Sequence, residues 1–385
     1  MRRLIICLDG TWASPGNLVE RGDGTEVHKP SNVLKTFRAV VPRTDDGVDQ
    51  ISYYDEGVGA ISAQRGLRNN ALAKLDAVLG GAWGAGFEQN IESAYTFVVG
   101  NALPEDELFV FGFSRGAGQA RSLCRFIDWM GGLLHKRDAY FIPDFFKHYI
   151  AKEGRPGAAQ TFMEKLLKSG KKIAPPTTAK IRFLGVYDTV LALGSRMRAD
   201  FDKAEGTSAP ELGFHVGDKP PAMVSVARQA LAIDERRTDF RPEIWRGAEP
   251  GQSVEQCWFP GVHTSIGGGY ANDGLANGAL RWMIDAAKDE GLVVDEDFLK
   301  FYRPWVGDTR PESLKGFMKL RNWMRDFKGR SGDRDLCVLA DVPGLKVHPS
   351  ALKLLEIDES YRPKNLLKYM RTQDDLASLI PPDIT

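Results

Sequence analysis

The sequence predicts an α/β fold built on a mostly parallel, doubly wound sheet. Three observations carry that prediction. Short continuous apolar runs alternate with amphipathic helical segments, as strands buried on both faces require. The stretch 107–126, ELFVFGFSRGAGQARSLCRF, reads as buried strand, sharp turn and helix. The residues that carry chemistry fall at the ends of such runs, where parallel sheets place their sites.

The first strand is Leu4 to Leu8, ending in Asp9-Gly10-Thr11-Trp12. Asp-Gly-Thr in this position would suit an aspartyl-nucleophile phosphatase, but that chemistry needs a second aspartate where Cys7 stands. Two readings remain. Gly10 and Thr11 offer backbone N–H groups to a developing oxyanion, with Asp9 holding the loop, or the segment is an Asx-turn without a catalytic role. Gly16 to Pro30 is a polar loop, and Ser31 is the N-cap of a helix carrying Val33, Leu34, Phe37, Val40 and Val41. Gln50 to Tyr54 is the next strand. A small-residue segment with Leu67, Leu72, Leu75, Val78 and Leu79 follows, then a helix with Phe87, Ile91, Tyr95 and Val98.

Residues 136–177 break the alternation. Phe145, Phe146, Tyr149 and Ile150, then Phe162, Met163, Leu166 and Leu167, mark two amphipathic helices, read as an inserted helical cap. The core resumes with Lys180 to Val190, a strand ending in Asp188. Met223 to Ile233 reads as a helix running into Asp234-Glu235-Arg236-Arg237, and Val254 to Phe259 as the last core strand. Pro260-Gly261-Val262-His263 turns off its end, and Leu280, Met283, Ile284 and Ala287 mark a further helix. Beyond Gly291 the chain, with Trp305, Phe317, Trp323, Met324 and Phe327, is mostly helix and loop without strand periodicity. The expectation is one domain over 1–385, with residues 291–385 a mostly helical extension packed on the core.

Composition excludes several classes. Lys plus Arg and Asp plus Glu number 51 each, so no net field draws nucleic acid. Lys168 to Lys172 reads as a solvated charge cluster, with transient contact to an anionic membrane surface as the alternative. The four cysteines (Cys7, Cys124, Cys257, Cys337) lack metal-ligand spacing and read as thiols in a reducing compartment, so neither a metal nor an organic cofactor is expected. The apolar run after Met1-Arg2-Arg3 ends at Asp9 without a cleavage site, and no run approaches a membrane span. A soluble protein made in the cytoplasm is expected.

Gly112-Phe113-Ser114-Arg115-Gly116 matches G-x-S-x-G, whose glycines allow a turn so tight that the serine Oγ projects above the sheet. Serine needs a base within hydrogen-bond reach, and the base needs an orienting group. His263 and Asp188 both follow apolar strands, which puts them at the same sheet edge as Ser114. The order Ser, Asp, His is that of α/β-hydrolases. Ser114 is therefore the expected nucleophile, His263 the base and Asp188 its orienting carboxylate. Asp234 is the alternative acid, although Arg236 and Arg237 beside it suit a structural aspartate. The Arg115 N–H, with one from the Gly10-Thr11 loop, would form the oxyanion hole.

Seven stretches together resemble the uncharacterised α/β-hydrolase domain family whose best-known members are phospholipase effectors of bacterial type VI secretion. They are LDGTW (8–12), YYDEGVG (53–59), GFSRGAGQAR (112–121), FLGVYDTV (183–190), ALAIDERRTDF (230–240), WFPGVHTSIGGGY (258–270) and RPKNL (362–366). The resemblance implies an α/β-hydrolase-like fold, the Ser114, Asp188 and His263 triad, and phospholipid acyl esters as substrate; export without a signal peptide, as an effector, is compatible with it. The chain departs from the family's pattern at Thr264-Ser265-Ile266, usually Ser-Asp-Val, and at Gln229, usually His. The competing readings are an esterase for small soluble esters and a non-catalytic lipid- or protein-binding module on the same fold.

Overall fold

Seven strands form one sheet: β1 (Arg3–Leu8), β4 (Gln50–Asp55), β5 (Glu107–Phe113), β6 (Lys180–Tyr187), β7 (Val224–Ala232), β8 (Ser253–Phe259) and β9 (Leu345–Val347). They lie in the order β4-β1-β5-β6-β7-β8-β9, and each ladder among them is parallel. A separate antiparallel pair, β2 (Leu18–Glu20) and β3 (Glu26–His28), lies in the polar segment after Asp9. The computed structural model describes residues 1–10, 18–20, 24–57, 83–152, 154–191, 216–237, 240–312, 333–337 and 344–377, and a few single positions. The apolar positions between Leu67 and Leu79, residues 192–215, and Phe317, Trp323, Met324 and Phe327 lie outside the described residues.

Alternation along β1 explains the layers. Leu4, Ile6 and Leu8 face a core shared with α2 (Trp83–Asn101), α3 (Arg115–Met130) and α4 (Ile142–Ala151). Ile5 and Cys7 face the opposite core, closed by α1 (Asn32–Ala39) and α7 (Gly274–Asp289). With both faces covered, the central strands are apolar nearly throughout. Ser31 caps α1 as expected, its hydroxyl accepting the Leu34 N–H at 3.0 Å. The chain runs from β1 outward to β4 and then back across to β5. That reversal makes a switch point between β1 and β5, where doubly wound sheets open a crevice at their carboxyl edge.

Two sequence expectations are corrected. Met223 to Ile233 is not a helix but carries the interior strand β7, pairing Ala227 with Leu184 on one side and Val254 on the other. Its apolar residues fit a helical stripe as well as a doubly buried strand, and only the neighbouring strands decide. The sheet does not end at β8, because Leu345–Val347 adds β9, too short to show periodicity. The inserted helices, α4 and α5 (Ala158–Lys168), pack on the far end of α3 rather than beside Ser114. Phe146 and Tyr149 stack edge-on to Phe126 at 5.1 and 5.2 Å. Phe126 stands about 18 Å along the helix from Ser114, at 1.5 Å per residue.

The C-terminal residues pack on the core. Leu336, Leu354, Leu355, Leu366 and Met370 form an apolar cluster with Leu231 and Trp258 at the ends of β7 and β8.

Candidate active site

Ser114 sits between β5 and α3 with φ 57° and ψ −122°, a conformation that costs a non-glycine residue about 1–3 kcal/mol. The sequence around it makes the turn feasible. A Cβ at Gly112 would lie 2.4 Å from the Gly116 carbonyl oxygen, and one at Gly116 would lie 2.2 Å from that of Leu8. Neither neighbour can give way, since both are backbone. The Ser114 N–H donates to the Tyr187 carbonyl at 3.0 Å, tying the turn to the end of β6. Arg115 follows directly as the first residue of α3, where backbone N–H groups point out of the helix.

Asp188 leaves β6 with φ 42°, and its N–H donates to the Ala230 carbonyl at 2.7 Å. His263 opens the short helix α6 (His263–Gly267) after β8. The structure brings the three side chains together. His263 Nε2 lies 2.8 Å from Ser114 Oγ, and its Nδ1 lies 2.6 Å from Asp188 Oδ2. With Asp188 ionised, Nδ1 carries the proton and donates to the carboxylate, which leaves Nε2 to accept from the serine hydroxyl. All three are buried, Ser114 7%, His263 4% and Asp188 0% exposed.

Burial pulls the His263 imidazole below its ordinary value, more than the hydrogen bond and charge of Asp188 raise it. Burial alone would push the Asp188 carboxyl up. The Arg334 guanidinium, the bond to His263 and the imidazole's charge outweigh it and hold the carboxyl well below the usual carboxylate range. Arg334 donates to Asp188 Oδ1 at 2.6 Å and to Oδ2 at 2.9 Å, and the Ala232 N–H donates to Oδ1 at 3.1 Å. Two rings pack on the imidazole, Phe113 at 4.8 Å and Phe240 edge-on at 4.9 Å.

Glu235 accepts the His263 backbone N–H at 3.2 Å. Burial raises its carboxyl, but the Arg237 fork, at 2.9 and 2.8 Å, brings it down to about 2. Sequence reasoning passed over Arg334 and Glu235. Glu235 lies in the ALAIDERRTDF stretch, whereas nothing local marks Arg334.

Asp234, the alternative acid, does not reach the imidazole. Its Oδ2 accepts the Gly261 N–H at 2.6 Å, and its Oδ1 accepts the Tyr361 hydroxyl at 3.3 Å. Burial outweighs those bonds and pushes its carboxyl up to about 6. Asp9 does hold its loop. Ser31 Oγ donates to it at 2.5 Å, the Tyr54 hydroxyl at 2.7 Å and the Gly10 N–H at 2.6 Å, and burial lifts its carboxyl to about 6. The Gly10 N–H therefore points at Asp9 Oδ1. Thr11 lies outside the described residues.

The family model for the type VI secretion phospholipase effector Tle1-like catalytic domain matches residues 2–286. The chain belongs to this family. The match takes in Ser114, Asp188 and His263 and stops before Arg334. An uncharacterized protein of Saccharomyces cerevisiae is 26% identical over 246 residues, 62% of this chain and 32% of its own. Two solved structures are also similar. One is a Tle1 effector bound to the VgrG spike of the type 6 secretion system, 19% identical with a TM-score of 0.39 over 70% of this chain and 51% of that one. The other is an uncharacterized Pseudomonas aeruginosa protein, 18% identical with a TM-score of 0.40 over all of this chain and 56% of that one. The Tle1-like chain described here thus spans about half of those structures and a third of the yeast protein.

Two of the residues at which the chain departs from the resemblance, Gln229 and Ile266, are buried and hydrogen-bonded. Gln229 is buried in β7, donating to the Glu243 carbonyl at 3.1 Å and to Gln256 Oε1 at 2.9 Å. Ile266 is buried in α6, and its carbonyl accepts from Asn32 Nδ2 at 2.8 Å. Among the described residues no helix is long and apolar enough to cross a membrane, and no three His, Cys, Asp or Glu side chains are grouped to hold a metal ion.

Proposed function

We propose that the chain is a serine hydrolase that cleaves the acyl esters of phospholipids through an acyl-enzyme. The observation that carries this reading is the unbroken chain of hydrogen bonds from Ser114 Oγ through both nitrogens of His263 to Asp188. Membership in a phospholipase catalytic-domain family supports the substrate class.

Ser114 Oγ attacks the ester carbonyl carbon while its proton passes to His263 Nε2. The Arg115 N–H and the N-terminus of α3 stabilise the oxyanion, while the Gly10 N–H is committed to Asp9. The C–O bond to the alcohol breaks as Nε2 protonates the leaving oxygen. Water then attacks the acyl carbon, gives its proton to Nε2, and the acid departs as Ser114 recovers that proton. Asp188 keeps the imidazole in the required tautomer and stabilises its transient positive charge.

The test is labelling with a fluorophosphonate, the adduct located by peptide mass spectrometry. The expected adduct is on Ser114, absent in S114A and in H263A. The same wild-type preparation, before labelling, should release fatty acid from phospholipid vesicles faster than it cleaves a short soluble ester. A folded wild type that takes no label would overturn the hydrolase reading, and a preference for the soluble ester would overturn the lipid one.

A further inference from the structure

We propose that Arg334 is a positioning residue of this site: its fork fixes both oxygens of Asp188 and, by sharing that charge, limits how strongly Asp188 favours the His263 imidazolium. The inference rests on the hydrolase reading above and extends it to a residue that lies outside the family match.

A triad carboxylate orients the imidazole with one oxygen. Here Asp188 Oδ2 serves both His263 Nδ1 at 2.6 Å and Arg334 Nη2 at 2.9 Å, while Oδ1 takes Arg334 Nη1 at 2.6 Å. The two parallel bonds leave the carboxylate no freedom to rotate away from the imidazole. Arg334 is in turn anchored by two carbonyls, Ala232 at 2.9 Å and Phe240 at 2.6 Å, and the Phe240 ring packs on His263. Asn365 closes the assembly, donating to the Ile233 carbonyl at 2.9 Å and to the Arg334 carbonyl at 3.1 Å. Through Asn365 the RPKNL stretch of the sequence pins the Arg334 segment to the end of β7. Arg334 is 7% exposed, so its charge acts through protein rather than water.

The other charges around His263 are accounted for. Glu235 faces its backbone N–H and is neutralised by Arg237, and Asp333 and Asp335, beside Arg334, pair outward with Arg236 at 2.9 Å and Lys368 at 3.8 Å. Arg334 is thus the cation on the imidazole's own partner. Part of the attraction that would hold a proton on His263 is diverted to the guanidinium fixed on both oxygens of Asp188. The enzyme gains a base that stays neutral at mildly acidic pH. The cost is weaker support for the transient imidazolium.

The experiment is the pH dependence of Ser114 labelling in full-length wild type, R334Q and R334K, with an NMR titration of the His263 imidazole in S114A, alone and combined with each change. R334Q should move the acid limb and the imidazole titration up by about one pH unit, the size expected for loss of an adjacent charge. R334K keeps a point charge without the fork and should move both by less than R334Q but measurably upward; it carries the test if R334Q does not fold. Slower labelling at every pH with unmoved limb and titration would reduce Arg334 to a structural tie and overturn the proposal. If Ser114 in wild type is never labelled, the hydrolase reading fails, while the titration still decides what Arg334 does to His263.

Discussion

Asp188 and Asp234 follow adjacent strands of the sheet, β6 and β7, at the same edge, the first fully buried and the second partly exposed, and their carboxyls are displaced in opposite directions. Asp188 meets a guanidinium fork, an imidazole and one backbone N–H, and is held ionised. Asp234 meets one backbone N–H and a phenol, and burial lifts it to about 6. Burial sets the size of the penalty and the partners set its sign. A buried aspartate at a strand end is therefore not enough to name a catalytic acid. What singles out Asp188 is a cationic partner together with an imidazole nitrogen within hydrogen-bond reach.

Substitutions at this edge should separate the two aspartates. Replacing Ser114 by Ala should remove on the order of 10⁶ of the ester hydrolysis rate, leaving only what binding and the oxyanion donors supply. A residual rate near wild type would take the chemistry away from this edge altogether. D188N should cost on the order of 10⁴ in kcat, because an amide presents the wrong hydrogen to Nδ1 and favours the wrong tautomer. D234N, measured side by side, should stay within about two-fold; the reverse ranking would move the acid to β7.

Smaller effects test the supports. G116A sets a Cβ against the Leu8 carbonyl and should destabilise the fold by about 1–3 kcal/mol in denaturant unfolding. A neutral result would mean that the turn is not as tight as the 2.2 Å approach requires. In wild type the acid limb of kcat/KM should lie below the ordinary histidine value of about 6.5, since the imidazole is pulled down and only its neutral form accepts the serine proton.

The smallest effect is a melting difference. Asp234 is raised in the folded state, so its contribution is fully present below the ordinary aspartate value and is lost as pH rises through about 6. D234N escapes that loss. It should melt roughly 2–4 °C above wild type at pH 7.5, with the gap closing by about pH 4.

Much of this site is legible along the chain because its determinants are local. A strand, two glycines and a serine specify the elbow, since only glycine permits the backbone approaches at 112 and 116. Asp188 and His263 are marked by the apolar runs before them, and a parallel sheet gathers the ends of its strands at one edge. Ser31 is readable as a cap because capping is a matter of three residues. Where the sequence misleads, the missing information is the neighbour. Met223 to Ile233 carries apolar residues that suit two periods, and only β6 and β8 on either side make it a strand.

The inserted helices present aromatic faces that composition cannot assign to a core or to a substrate, and packing on Phe126 assigns them to the core. The α/β class, the elbow and the order of the proposed nucleophile, acid and base thus follow from the linear chain. Folding settles the rest: which aspartate serves the histidine, that the Gly10 N–H turns to Asp9, and that an arginine far along the chain grips Asp188. The difference is one of range. Backbone sterics and hydrophobic periodicity act over a few residues, whereas the charge state of a buried group is set by whatever the fold brings within a few ångströms of it.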